Sequence, residues 1–118
     1  MLFTKILLAY DGSKAANKAL GRAVELAKVT PGATLDVIHA YDFPRFFVGE
    51  GLAPIPASLN KDVYDLAVQT TEEIRERIEK SGVTGQVEMI QGPPAEVILE
   101  YANQNGSDLI VIGSRGLG

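Results

Sequence analysis

The chain has 118 residues, 46% of them hydrophobic, a net charge of −4 and a pI near 4.9. That is enough apolar content for one core, so residues 1–118 are read as a single domain. The acidity argues against nucleic-acid binding through a basic surface, but not against one nucleotide held by main-chain amides and a cation or two. With no cysteine there is no disulfide framework and no thiolate metal site. No apolar run is long enough to span a bilayer, and the N-terminus lacks a signal-peptide pattern, which predicts a cytoplasmic protein with no membrane partner.

The first strand is Lys5–Tyr10 (KILLAY), a nearly continuous apolar run. A helix follows, with Ala16, Leu20, Ala23, Val24 and Ala27 on one face, Ser13 as its N-cap and Pro31-Gly32 ending it. The second strand is Thr34–Tyr41 (TLDVIHAY). Residues 42–58 come next, far longer than the usual connection of about 4–6 residues. Phe43, Phe46, Phe47, Leu52 and Ile55 make this stretch too apolar for a solvated linker. It reads as a long loop, with three roles open: folding over a ligand, meeting a partner chain, or packing on the sheet as a surface excursion.

The second helix is predicted over 59–80, turning Val63, Leu66, Ala67, Thr70, Ile74 and Ile78 inward. Its solvated face carries Glu73–Arg77 and Glu76–Lys80 at i,i+4, and Ser81-Gly82 stops it. The third strand is 86–91 (QVEMIQ). The third helix starts at Pro94, buries Ala95, Ile98, Leu99 and Ala102, and stops at Asn105-Gly106. The fourth strand, 108–112 (DLIVI), runs straight into Gly113-Ser114-Arg115-Gly116-Leu117-Gly118. Strands alternating with helices imply an α/β protein: an open, mostly parallel, doubly wound sheet with helices on both faces. The run Leu109 to Ile112 lacks the charges and prolines of an edge strand, so a further helix and strand are expected beyond Gly118.

In such sheets, ligands bind outside the carboxyl ends of the strands, where strand order reverses. Two loops leave strand ends with suitable residues: Tyr10-Asp11-Gly12-Ser13 and Gly113-Ser114-Arg115-Gly116. If the first and fourth strands are neighbours, these loops face each other. Asp11 would then accept from a ribose hydroxyl or help hold a metal ion, and the glycine-loop amides would hold phosphates. The plainer reading makes Asp11 a turn-former, Gly113 and Gly116 a strand-to-helix turn, and Arg115 a solvated side chain. The spacing is neither GxGxxG nor GxxxxGK[ST], so dinucleotide and Walker-type sites do not match. His39, the one histidine, lies within the second strand and reads as a core residue. No nucleophile–base pair stands out and no catalytic residue is assigned, so efficient catalysis is not expected.

Taken together, KILLAYDGS, IHAY, QGPPAEVILEYA and SDLIVIGSRGLG resemble the universal stress protein family over the whole chain. The resemblance implies a Rossmann-like sheet of order 3-2-1-4-5, placing the first and fourth strands side by side. In the ATP-binding branch the glycine motif is GxxG, nine residues, then G[ST]; Gly113 and Gly116 match its first half. By the same resemblance, Ala9, Tyr10 and Asp11 line the adenosine site and the Ala40 main chain meets adenine. Ile112, Gly113, Arg115 and Gly116 form the ribose and phosphate loop. The implied ligand is ATP or AMP, with Mg2+ as a companion ion, in a cytoplasmic stress-response protein that dimerises through its fifth strand.

Two other functions compete: an enzyme of the adenine-nucleotide α-hydrolase-like fold, and a nucleotide-free interaction module. The first calls for an SGGxDS-type loop where this chain has YDGSKAA. A phosphoacceptor receiver domain would need an acidic pair after the first strand, where only Asp11 stands. On these grounds Gly113→Val is expected to remove nucleotide binding with little loss of fold.

Overall fold

The computed structural model describes residues 3–42, 45–48, 51–54 and 57–113, with the main chain alone for 45–48, 52–54 and 57–59. In chain order the elements are β1 (Lys5–Tyr10), α1 (Lys14–Val29), β2 (Thr34–Tyr41), β3 (Arg45–Val48), β4 (Gly51–Pro54), α2 (Ala57–Ser81), β5 (Val87–Gln91), α3 (Pro94–Asn105) and β6 (Leu109–Ile112). The main sheet is fully parallel, in the order β5-β2-β1-β6. Counting its four strands along the chain, this is the expected 3-2-1-4. The chain moves from β1 outward through β2 to β5, then returns to the other side of β1, so strand order reverses between β1 and β6.

β1 is apolar on both sides because both are covered. Ile6, Leu8 and Tyr10 pack with Leu35, Val37, Leu20, Ile74 and Ile78 under α1 and α2. Leu7 joins Ile38, Val97, Ile98 and Tyr101 under α3. Ser13 caps α1 through its Oγ, which accepts from Ala16 N–H at 3.0 Å. Gly106 closes α3 in a left-handed conformation (φ 67°) that a side chain would disfavour. Asp108 fixes the start of β6: its carboxylate accepts from the main-chain N–H of Thr4 (3.2 Å) and Lys5 (2.9 Å). Desolvation pushes the Asp108 pKa up, but the hydrogen bonds from Thr4, Lys5 and its own main chain together outweigh it and hold the carboxyl below its ordinary value.

Three expectations need correction. Residues 42–58 are not simply loop: β3 and β4 pair antiparallel, Arg45 opposite Pro54 and Val48 opposite Gly51, and α2 begins at Ala57. Helix α2 buries Ala67, Ile74 and Ile78 as expected but is rolled slightly about them. Thr71 is buried, while Leu66 is 64% exposed. In α3 the buried residues are Val97, Ile98 and Tyr101; Ala95 is exposed and Leu99 is 60% exposed. Two polar side chains come inward because each finds a partner. Thr71 Oγ1 donates to Ala67 O (2.8 Å), and Tyr101 Oη donates to Asp36 Oδ2 (3.0 Å).

The free edge of β5 is blunted. Val37 N–H bonds Gln86 O at 2.8 Å, so the neighbouring Val87 carbonyl faces away from the sheet. Arg75 on α2, itself paired with Glu72, donates Nη2 to that carbonyl at 2.8 Å.

The roll of α2 predicts contrasting substitutions. Ile74→Ala should cost about 2–5 kcal/mol of unfolding free energy. Leu66→Ala should stay within roughly 0.5 kcal/mol of wild type. Urea denaturation of both variants checks this, and equal losses would contradict the observed face.

Candidate functional site

At the carboxyl ends of β1, β2 and β6 lies a cavity of about 120 Å³, lined by Ala9, Tyr10, Asp11, Ile38, Ala40, Pro94, Ile98, Ile112 and Gly113. It sits where strand order reverses, the place where open α/β sheets bind ligands. Of the residues proposed from sequence, Ala9, Tyr10, Asp11, Ala40, Ile112 and Gly113 meet in this cavity. Arg115 and Gly116 fall outside the described residues.

The strands deliver these residues through their period-two alternation. Ala9 and Ala40 face the α3 side, and their short side chains leave the space open. Tyr10 turns its ring to the opposite face, into the α1/α2 core, so it offers the cavity main chain. Its hydroxyl donates to Asn17 Oδ1 at 2.7 Å. Burial raises the Tyr10 pKa, against the opposing effects of Arg77 and the Asn17 bond.

Asp11 is exposed at the rim, and its Oδ1 accepts from Ser13 N–H at 2.9 Å. The turn-forming reading of Asp11 is therefore correct, and it coexists with a place in the cavity wall. Among the lining residues Asp11 carries the one carboxylate, and no group of three metal-ligating side chains converges among the described residues. A magnesium ion here would depend on a ligand's own phosphates, as this ion commonly does.

Ile38, Pro94 and Ile98 also line the cavity but were not singled out as site residues. Ile38 lies two positions before Ala40 and shares its face, a signal that strand alternation carries. Pro94 and Ile98 stand at i,i+4 at the start of α3, one helical turn facing the switch point. Ile98 was expected in the core, and it serves both purposes.

Gly113 overturns one expectation. A Cβ there would lie 2.6 Å from Ala15 C and Ala16 N and 2.7 Å from Ala15 O. Those are main-chain atoms of the first turn of α1, which cannot swing aside. The glycine is required by the close approach of β6 to α1, whatever the ligand, so Gly113→Val tests the fold and not the phosphate site.

His39 is buried outside the cavity. Its Nδ1 lies 3.3 Å from Thr71 Oγ1, and its ring meets Tyr10 edge-to-face at 5.9 Å between centroids. Since Thr71 donates its own proton to Ala67 O, the contact is satisfied with a proton on Nδ1. Burial lowers the His39 pKa, opposed by the Ala67 carbonyl and the Asp11 charge.

The fold and cavity define a doubly wound α/β protein with an apolar crevice at its switch point. The profile of the universal stress protein family matches residues 2–118, and the chain belongs to that family. It is 37% identical over 123 residues to a universal stress protein of Thermus aquaticus, covering 99% of this chain and 81% of that protein. With stress response protein NhaX of Bacillus subtilis it shares 32% over 133 residues, covering 94% and 80%. A crystal structure of a family member from Burkholderia pseudomallei superposes with TM-score 0.77 at 28% identity, over 95% of this chain and 82% of that one. Two further solved members share the fold: one in complex with cAMP (TM-score 0.71, 23% identity, covering 100% and 81%) and an Arabidopsis thaliana protein with AMP bound (0.67, 19%, covering 98% and 79%). Among the described residues no helix is long and apolar enough to cross a membrane.

Two outcomes follow. Gly113→Val should lose at least about 1–3 kcal/mol of stability, the cost of overpacking against fixed neighbours. An unchanged urea midpoint would contradict the close approach. The single histidine resonance should titrate below the ordinary His value near 6.5. A proton favoured by the unfolded chain lowers stability as pH falls from that value through the depressed folded pKa. His39→Gln should flatten this part of the stability–pH curve, and a resonance titrating at or above the ordinary value would contradict the assignment.

Proposed function

We propose that this protein binds an adenine nucleotide, ATP or AMP, and acts as a ligand-dependent module of the stress response. One observation carries the reading: six residues expected at such a site, from three strand ends far apart in sequence, line one apolar cavity at the switch point. The family members solved with cAMP and with AMP support the ligand class.

The cavity is smaller than the roughly 300–1,000 Å³ of a whole small-molecule site, so it suits the apolar part of a nucleotide. Ala9, Ile38, Ala40, Pro94, Ile98 and Ile112 supply an apolar slot for a base, leaving its polar edge to main-chain groups at the strand ends. Asp11 stands where a ribose hydroxyl would donate, and Gly113 would lie toward the phosphates. The role proposed is binding, with at most slow hydrolysis. A cytoplasmic homodimer belongs to the same proposal.

Calorimetric titration with ATP and AMP in the presence of magnesium tests it. Wild type should bind saturably. Ala40→Phe, which fills the slot from β2, should weaken binding at least about tenfold, or 1.4 kcal/mol. Asp11→Asn keeps a turn-forming oxygen and should weaken binding by roughly 1–3 kcal/mol. No binding by wild type, or full affinity in Ala40→Phe, would contradict the proposal.

A further inference from the structure

The wall of the cavity formed by Asp11 is held by a residue that does not line it. Asn17 sits one turn into α1, and all its side-chain groups are engaged. Its Oδ1 accepts from Tyr10 Oη at 2.7 Å and from Arg77 Nη1 on α2 at 3.1 Å. Its Nδ2 donates to Ser13 O at 3.2 Å. Ser13 in turn donates its N–H to Asp11 Oδ1 and caps α1. The amide thus joins three pieces: the end of β1, the Asp11-Gly12-Ser13 turn, and a helix 60 residues further along the chain.

We propose that Asn17 is a positioning residue, whose side-chain amide clamps the Asp11 turn to Tyr10 and to Arg77 and so sets the affinity of the cavity without touching its ligand. The affinity clause rests on the nucleotide reading above; the clamp itself does not. Two features favour a positioning role over simple helix stability. Asparagine is a poor residue for a helix interior, and alanine would favour α1 itself. The Asn17 Nδ2 adds a second donor at Ser13 O, which already accepts the Asn17 main-chain N–H at 3.0 Å. Arg77 could lie free on the solvated face of α2, yet it bonds the same oxygen that receives the Tyr10 hydroxyl.

The test combines amide hydrogen exchange on the ligand-free chain with nucleotide titration, on wild type, Asn17→Ala and Asn17→Asp. In Asn17→Ala, exchange at Ser13 and Ala16 should speed up, and the dissociation constants for AMP and ATP should rise about three- to tenfold, the effect of losing an ordinary hydrogen bond. Asn17→Asp keeps the acceptor for Tyr10 and Arg77 but sets a carboxylate oxygen against Ser13 O, so it should speed exchange at Ser13 and Ala16 and weaken binding at least as much as Asn17→Ala. Unchanged exchange in Asn17→Ala overturns the clamp. Faster exchange with unchanged affinity overturns the positioning role, and wild-type exchange in Asn17→Asp overturns the part given to Nδ2. A wild-type chain that binds no nucleotide overturns the functional reading instead, and exchange alone then decides the clamp.

Discussion

Parallel pairing of β1 on both of its edges is the constraint from which the rest follows. β2 takes one edge in register from Lys5 opposite Thr34, and β6 takes the other from Ile6 opposite Leu109. A strand so placed must be apolar on both faces, and Ile6, Leu7 and Leu8 are at most 1% exposed. Because the chain leaves β1 toward β2 and comes back to it from β5, the helices divide between the two faces. The cavity opens at the carboxyl ends of β1 and β6, where strand order reverses. The site is thus a consequence of strand order, with residue choice deciding how wide it stands. Ala9 and Ala40 keep it open where larger side chains would close it.

Asp11 and Gly113 show why a binding loop and a structural turn are hard to separate by sequence. Each meets a demand of the fold before any ligand arrives: Asp11 by holding Ser13 N–H, Gly113 by letting β6 pass close to the first turn of α1. Their residue types would be needed in an empty site as well. What points to a ligand is their convergence with Ala9, Ala40 and Ile112 around one space.

Much of this was legible in the sequence. Continuous aliphatic runs marked β1 and β6, and the Ser13 cap and Gly106 stop bracketed α1 and α3. The hairpin was hidden because its strands are four residues each and are bordered by proline and glycine, which read as loop. The roll of α2 and α3 was missed for a different reason. Apolar residues in both helices form two overlapping stripes, and the choice between them depends on Thr71 meeting His39 and Tyr101 meeting Asp36. Those partners are visible only after folding. Pro94 and Ile98 were seen as helix-start and core residues, and their place in the cavity emerged once α3 was set against β1 and β6.

The central claim is that the crevice between β1 and β6 is the nucleotide site. The most direct measurement is a two-dimensional nitrogen–proton spectrum recorded as AMP is added to uniformly labelled protein. The expected result is saturable shifts concentrated at the amides of Ala9, Tyr10, Asp11, Ala40 and Gly113, with β5 and the outer face of α2 unmoved. Shifts confined to another surface, such as the groove of Ile90, Val97 and Tyr101, would contradict it, as would a spectrum that AMP leaves unchanged.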